Sequence, residues 1–130
     1  MEKDLKRTAL YSWHKEHGGQ MVEFAGWEMP VGYQKGILEE HLATRRYGGL
    51  FDISHMGRLL IRGKDAIPFM QHVLTNNVVA LDPGVAQYTL VQNERGGAMD
   101  DAYLYRLEEG DPSLQTNYLL VVNAANMQKD

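Results

Sequence analysis

Residues Gly96 to Tyr105, Gly-Gly-Ala-Met-Asp-Asp-Ala-Tyr-Leu-Tyr, leave this chain few ways to fold. A Gly-Gly pair supplies a turn, because glycine reaches backbone conformations that side chains forbid. The residues after it alternate with a strand's period of two, so Met99, Asp101, Tyr103 and Tyr105 share one face while Asp100 points to the other. Upstream, Val85 to Gln92 reads as a strand with Ala86, Tyr88 and Leu90 on one side. Asn93-Glu-Arg-Gly-Gly97 turns the chain back, which predicts that the two strands pair as a hairpin. On the first face one carboxylate, Asp101, stands with two aromatic rings and a thioether, where desolvation is costly unless a polar group or ligand answers it. Acidic residues beside hairpins are ordinarily solvated, so the pattern leaves two readings of Asp101 open, a solvated side chain or a group with chemistry to do.

Which chemistry is bounded by what the chain lacks. With no cysteine among 130 residues there is no disulfide framework, thiolate zinc site or cysteine nucleophile. Thirteen basic against seventeen acidic residues give a net charge of −4, and the longest basic runs are Lys6-Arg7 and Arg45-Arg46, so nucleic acid is not an expected partner. No apolar stretch approaches the length of a membrane span and the charged first residues have no signal-like core, which makes the cytoplasm the default expectation. A hydrophobic content of 44% is that of a globular domain with a real core.

Along the chain, Leu5 to His17 carries apolar residues at helical spacing and is predicted to be a helix ended by Gly18-Gly19. His14 and His17 are read as a surface pair, not metal ligands, because a metal needs more donors in reach. Met21 to Trp27 reads as a strand broken at Gly26, and Glu28 to Tyr33 as an apolar loop that either covers the core or lines a cleft. Gly36 to Tyr47 is a second expected helix and Asp65 to Leu74 a third. Leu50 to Arg62 is expected to be extended and bent at Gly57, with Arg58 and Arg62 opposite Leu59 and Ile61. Strand neighbours Ser54 and His55 cannot then form a nucleophile and base, and His55 is read as a structural, hydrogen-bonding histidine. After a loop over Glu108 to Thr116, Tyr118 to Val122 is a strand apolar on both faces, and Asn123 is expected to cap another helix that the chain starts as it stops, the mark of a cut chain. The sum is an α+β domain spanning residues 1–130, an antiparallel or mixed sheet of about five or six strands with three helices packed on it.

Four segments together resemble one family, the aminomethyltransferase (T-protein) of the glycine cleavage system. They are Met21-Val-Glu-Phe-Ala-Gly-Trp-Glu-Met-Pro30, Gly49-Leu-Phe-Asp-Ile-Ser-His-Met-Gly57, Asn93-Glu-Arg-Gly-Gly-Ala-Met-Asp-Asp101 and Tyr118-Leu-Leu-Val-Val-Asn-Ala-Ala-Asn126. The resemblance is to the first of the family's three domains. It implies transfer of a one-carbon unit from the aminomethyl group on the dihydrolipoyl arm of the H-protein to tetrahydrofolate, giving methylenetetrahydrofolate and ammonia. By the same resemblance Asp101 is the key carboxylate beside the reactive folate nitrogens, Met56, Tyr88, Tyr103, Tyr105 and Asn123 line the folate channel, and no metal takes part. Asn77, where the family usually has aspartate, and Ala102, where leucine is usual, depart from the pattern in a loop and on the face away from Asp101. Further folate contacts come from later domains of the family, so the isolated chain is expected to be inactive. A folate-dependent demethylase relative and a non-catalytic folate-binding module are the rival expectations. The Phe-Ala-Gly-Trp and Ser-His-Met segments weigh against the first, and the aspartate pair against the second.

Overall fold

The structure, a computed structural model, describes residues 4–108 and 117–129, in two compact units, Met1–His55 and Met56–Asp130. It bears out the α+β expectation: three α-helices, six strands in two antiparallel sheets, and one short 3-10 turn.

In the first unit the N-terminal helix is shorter than its apolar spacing predicts, α1 covering only Tyr11–Glu16. The reason lies in competing backbone partners. Lys6 runs alongside Trp27, its N–H donating to Gly26 O at 3.0 Å and its carbonyl accepting from Glu28 N at 2.8 Å, so that stretch is committed to an extended edge. The strand expected over Met21 to Trp27 is instead a hairpin, β1 (Met21–Phe24) paired with β2 (Trp27–Pro30). Ala25 (φ 51°) and Gly26 (φ 81°) make the turn, both left-handed, as a two-residue hairpin loop requires. The loop predicted after Trp27 is therefore strand as far as Pro30. Helix α2 (Ile37–Arg46) lies where it was expected. His14 is not on the surface: it is 4% exposed and held by the side chains of Tyr33 and Asp52, from two other segments. Ser54 and His55 sit in a turn, not a strand, and the buried His55 Nδ1 has no hydrogen-bond partner among the described residues. Its ring meets Phe24 and Trp27 edge-on.

In the second unit four strands form one antiparallel sheet in the order β3 (Gly57–Arg62), β6 (Asn117–Val122), β5 (Ala98–Arg106), β4 (Ala86–Gln92). The β4–β5 hairpin forms as the sequence predicts, with Asn93 Oδ1 accepting from Arg95 N and Gly97 N and Gly96 left-handed at φ 74°. The register places Gly57, Val122 and Ala102 in one row and Leu59, Leu120 and Leu104 in another, all facing helix α3 (Ala66–Val73). Met70, Leu74, Val78 and Tyr118 complete that core. Ala102 is among its buried residues, and Asn77 Oδ1 caps the 3-10 turn Val78–Ala80 through Val79 N. The other sheet face stays open, which is why Leu119 and Val121 are half-buried and not buried, as a strand apolar on both sides had suggested. Gly57 is required by close approach, since a Cβ there would lie 2.6 Å from Val122 Cγ2 and 2.8 Å from Met127 Cγ. The chain after β6 makes turns, not the helix that Asn123 was expected to cap. The loop expected over Glu108 to Thr116 lies, beyond Glu108, outside the described residues.

Candidate functional site

The open face of the four-stranded sheet carries the side chains singled out by the β-alternation. Tyr88 stands directly across from Tyr103, Leu90 across from Asp101, and Ala86 across from Tyr105. Asp101, Tyr103 and Tyr105 are exposed while their neighbours Asp100, Ala102 and Leu104 are buried, so the period of two sorts the strand into two environments. The rings of Tyr88 and Tyr103 meet edge to face at 5.6 Å, and Tyr105 lies 6.5 Å beyond Tyr103. A bulge between Val91 and Gln92 leaves Met99 out of the ladder just before the aspartate pair.

Asp101 is exposed but held. Its Oδ2 accepts from the Tyr88 hydroxyl at 3.2 Å and its Oδ1 from Asn123 Nδ2 at 2.9 Å. Burial, and after it the charge of Asp101, pushes the Tyr88 hydroxyl above its ordinary value, so at neutral pH it is the donor in that bond. A carboxylate offers about four lone-pair positions, so two remain for a ligand N–H. Asn123 leaves β6 opposite Asp101, and Met56 immediately precedes β3, whose first pair is Gly57 with Val122, so it belongs to the same end of the sheet. The structure thus gathers Tyr88, Asp101, Tyr103, Tyr105 and Asn123 on one face and puts Met56 at its margin. Two residues that the sequence reading left without a role, Asp100 and Asn126, join them from behind: Asp100 accepts from Asn123 N, Asn123 Nδ2 and Asn126 Nδ2. The Asn-x-x-Asn spacing after a buried strand is the signal for Asn126, and Asp100 is marked only by its place beside Asp101 on the opposite face of β5.

The first unit has a feature of its own, a groove of about 780 Å³ lined by Met29, Pro30, Tyr33, Ile37 and Phe51. Of the two alternatives for the apolar loop, the structure gives the cleft. Beside it Asp52 accepts from His14 Nε2 at 2.9 Å, Thr8 Oγ1 at 2.7 Å and Ser54 N at 2.9 Å, and His14 Nδ1 meets the Tyr33 hydroxyl at 2.6 Å. Burial pushes the Asp52 carboxyl up, but the hydrogen bonds from His14, Ser54 and Thr8 outweigh it and hold it well below the usual carboxylate range. Among the described residues no cluster of histidine and carboxylate side chains could hold a metal, and no helix is long and apolar enough to cross a membrane.

Comparison with known proteins identifies the fold. The sequence profile of the family described as the GCVT N-terminal domain matches residues 10–130. The chain belongs to that family. It is 51% identical over 126 residues to an aminomethyltransferase of Thermus thermophilus, covering 97% of this chain and 34% of that protein. It is 50% identical over 126 residues to one from Geobacillus kaustophilus, with 97% and 33% covered. The crystal structure of glycine cleavage system aminomethyltransferase T from Bartonella henselae superposes with a TM-score of 0.88 at 41% identity, covering 98% of this chain and 34% of that one. The chain spans about a third of the length of the relatives it matches.

Proposed function

We propose that this chain supplies the tetrahydrofolate-facing wall of a glycine cleavage aminomethyltransferase, with Asp101 as its catalytic carboxylate. The observation that carries the reading is the ring-lined sheet face with one exposed carboxylate, each of whose oxygens is already held by a neutral donor. A reduced pterin is flat, with N–H groups on its edge. Such a ligand needs ring faces to lie against and a few fixed acceptors to orient it. Tyr88, Tyr103 and Tyr105 offer the rings, half-exposed, and Asp101 the acceptor. These residues fit one side of tetrahydrofolate.

In the reaction, two folate nitrogens each form a bond to the aminomethyl carbon carried by the lipoylated H-protein, one replacing the dihydrolipoyl sulfur and the other the amine, and the two N–H protons they shed end on the dihydrolipoyl thiol and on ammonia. Asp101 accepts one of these protons on its way, or the hydrogen bond that precedes its loss. Proton acceptance by a positioned group contributes about 10²–10⁴-fold. Tyr88 and Asn123 keep the carboxylate from rotating, and Met56, Tyr103 and Tyr105 exclude water from the ring face.

One wall does not enclose a ligand, so the 130-residue chain alone forms no methylenetetrahydrofolate from tetrahydrofolate and aminomethyl-loaded H-protein. Placed in the Thermus thermophilus relative in exchange for the matching third, it supports turnover. In that chimera Asp101→Asn lowers kcat by about 10²–10⁴-fold with little change in the KM for tetrahydrofolate. Equal losses in kcat and affinity would make Asp101 a binding residue, and an unchanged kcat would end the proposal.

A further inference from the structure

Asp100 faces away from the ring-lined surface and is 8% exposed. Both its oxygens are engaged by the segment that follows β6. Oδ2 accepts from Asn123 N at 3.1 Å, and Oδ1 accepts from Asn123 Nδ2 and Asn126 Nδ2, each at 2.9 Å. The buried carboxylate therefore holds both the backbone and the side chain of Asn123. The Asn123 amide nitrogen in turn has three acceptors in reach: Asp100 Oδ1 at 2.9 Å, Asp101 O at 3.0 Å and Asp101 Oδ1 at 2.9 Å. An amide nitrogen carries two hydrogens, so these acceptors compete. They also fix which way the amide points, because a flipped amide would turn its oxygen toward two carboxylates.

We propose that Asp100 and Asn126 are positioning residues, which hold Asn123 with its amide nitrogen against Asp101 and so set the direction of the Asp101 carboxylate. This rests on the reading of Asp101 given above. Asn126 acts by supplying Asp100 Oδ1 with a donor of its own, which frees one hydrogen of Asn123 for Asp101. The turn that brings it there is closed by Asn126 N donating to Asn123 O at 3.1 Å. Lys129 orients Asn126 in turn: its Nζ donates to Met99 O at 2.8 Å and to Asn126 Oδ1 at 3.3 Å, which leaves the Asn126 nitrogen facing Asp100. The other restraint on Asp101, the Tyr88 hydroxyl at 3.2 Å, is long for an O–H donor, so the Asn123 contact is the tighter of the two.

The test is made on the 130-residue chain by NMR, following the Asn123 side-chain amide protons. In Asn126→Ala these resonances shift and exchange with water at least about tenfold faster, while the backbone amide shifts of Leu104 and Leu120 stay where they were, which shows the fold intact. Asp100→Asn gives a larger change in the same signals. Should that variant fail to fold, Asn126→Ala still decides. In the chimera described above, Asn126→Ala lowers kcat by about tenfold and leaves the KM for tetrahydrofolate within about twofold, the signature of a misaimed group in a site that still binds. Unchanged Asn123 amide signals in Asn126→Ala overturn the proposal whatever Asp101→Asn does. Conversely, altered Asn123 signals with an Asp101→Asn chimera that turns over normally would leave the clamp standing and remove the role of Asp101.

Discussion

His14 and Asp52 form a hydrogen-bonded pair out of reach of water, their side chains 5% and 3% exposed. A carboxylate only accepts, so His14 Nε2 donates, and in the neutral ring Nδ1 is left to accept from the Tyr33 hydroxyl. Both ring nitrogens of the histidine are thus partnered. The Asp52 carboxyl, held below its ordinary value in the fold, binds its proton less readily there than in the unfolded chain. Its contribution to stability is therefore complete above the unfolded value of about 3.9 and is lost as pH falls below it. Both tryptophans, Trp13 and Trp27, lie in this unit, so tryptophan fluorescence reports on it alone. We expect the urea midpoint followed by fluorescence to fall as pH is lowered from about 4 to about 2 in the wild-type chain, and Asp52→Asn to be less stable at pH 7 but nearly flat over the same interval. An acid dependence undiminished in Asp52→Asn would mean that another carboxylate drives it. His14 was legible in the sequence only as half of a His-x-x-His spacing. Its partners come from residues 33 and 52, and no local pattern announces a bond over that separation.

Among the elements, the β1–β2 hairpin turns at a residue that resists the turn. Ala25 sits at φ 51°, a conformation that costs a side-chain-bearing residue about 1–2 kcal/mol. Glycine would remove that strain and add about 0.5–1 kcal/mol of unfolded-state entropy to be overcome. The difference favours the substitution, so Ala25→Gly is expected to raise stability by about 0.5 kcal/mol, read as a higher urea midpoint by tryptophan fluorescence; a lower midpoint would show the turn to be unstrained. The same residue explains why the hairpin escaped the sequence reading. Ala-Gly lacks the Asn-Gly or Asp-Gly signature of such turns, and the apolar run of Met21 to Trp27 passes through it as one strand. The β4–β5 hairpin was legible because Asn93 and Gly96-Gly97 are residues that turns ask for, and the exposed set Asp101, Tyr103 and Tyr105 followed from strict alternation. Asn123 was misjudged for a different reason. Asparagine is a good helix cap, but here the buried Asp100 claims its side chain first, and a cross-strand carboxylate cannot be read from the residues that follow Asn123.

Taken as a whole, the molecule divides its apolar burial unevenly. Ten buried hydrophobic residues, from Ala66 to Val122, form one core in the second unit, whereas Met29 is the single buried hydrophobic residue among those described in the first. No residue of α2 is buried, and Ile37, Leu38, Tyr47, Leu50 and Phe51 are all exposed. The first unit is therefore held largely by polar contacts, of which the Asp52 cluster is the centre, and each hydrogen bond contributes about 1 kcal/mol net against the 1.5–3 kcal/mol of a buried aliphatic side chain. The second unit owes its stability to packing, and it carries the ring-lined face on the outside of that packed sheet. Stability should then be graded along the chain, with the platform for Asp101 outlasting the N-terminal unit. In urea, tryptophan fluorescence is expected to reach its midpoint at a lower concentration than the loss of amide protection at Leu104, Leu120 and Val122, followed by hydrogen exchange on the same samples. Coincident transitions would mean that the two units unfold as one cooperative body. The platform would then depend on the polar cluster around Asp52 as much as on its own core.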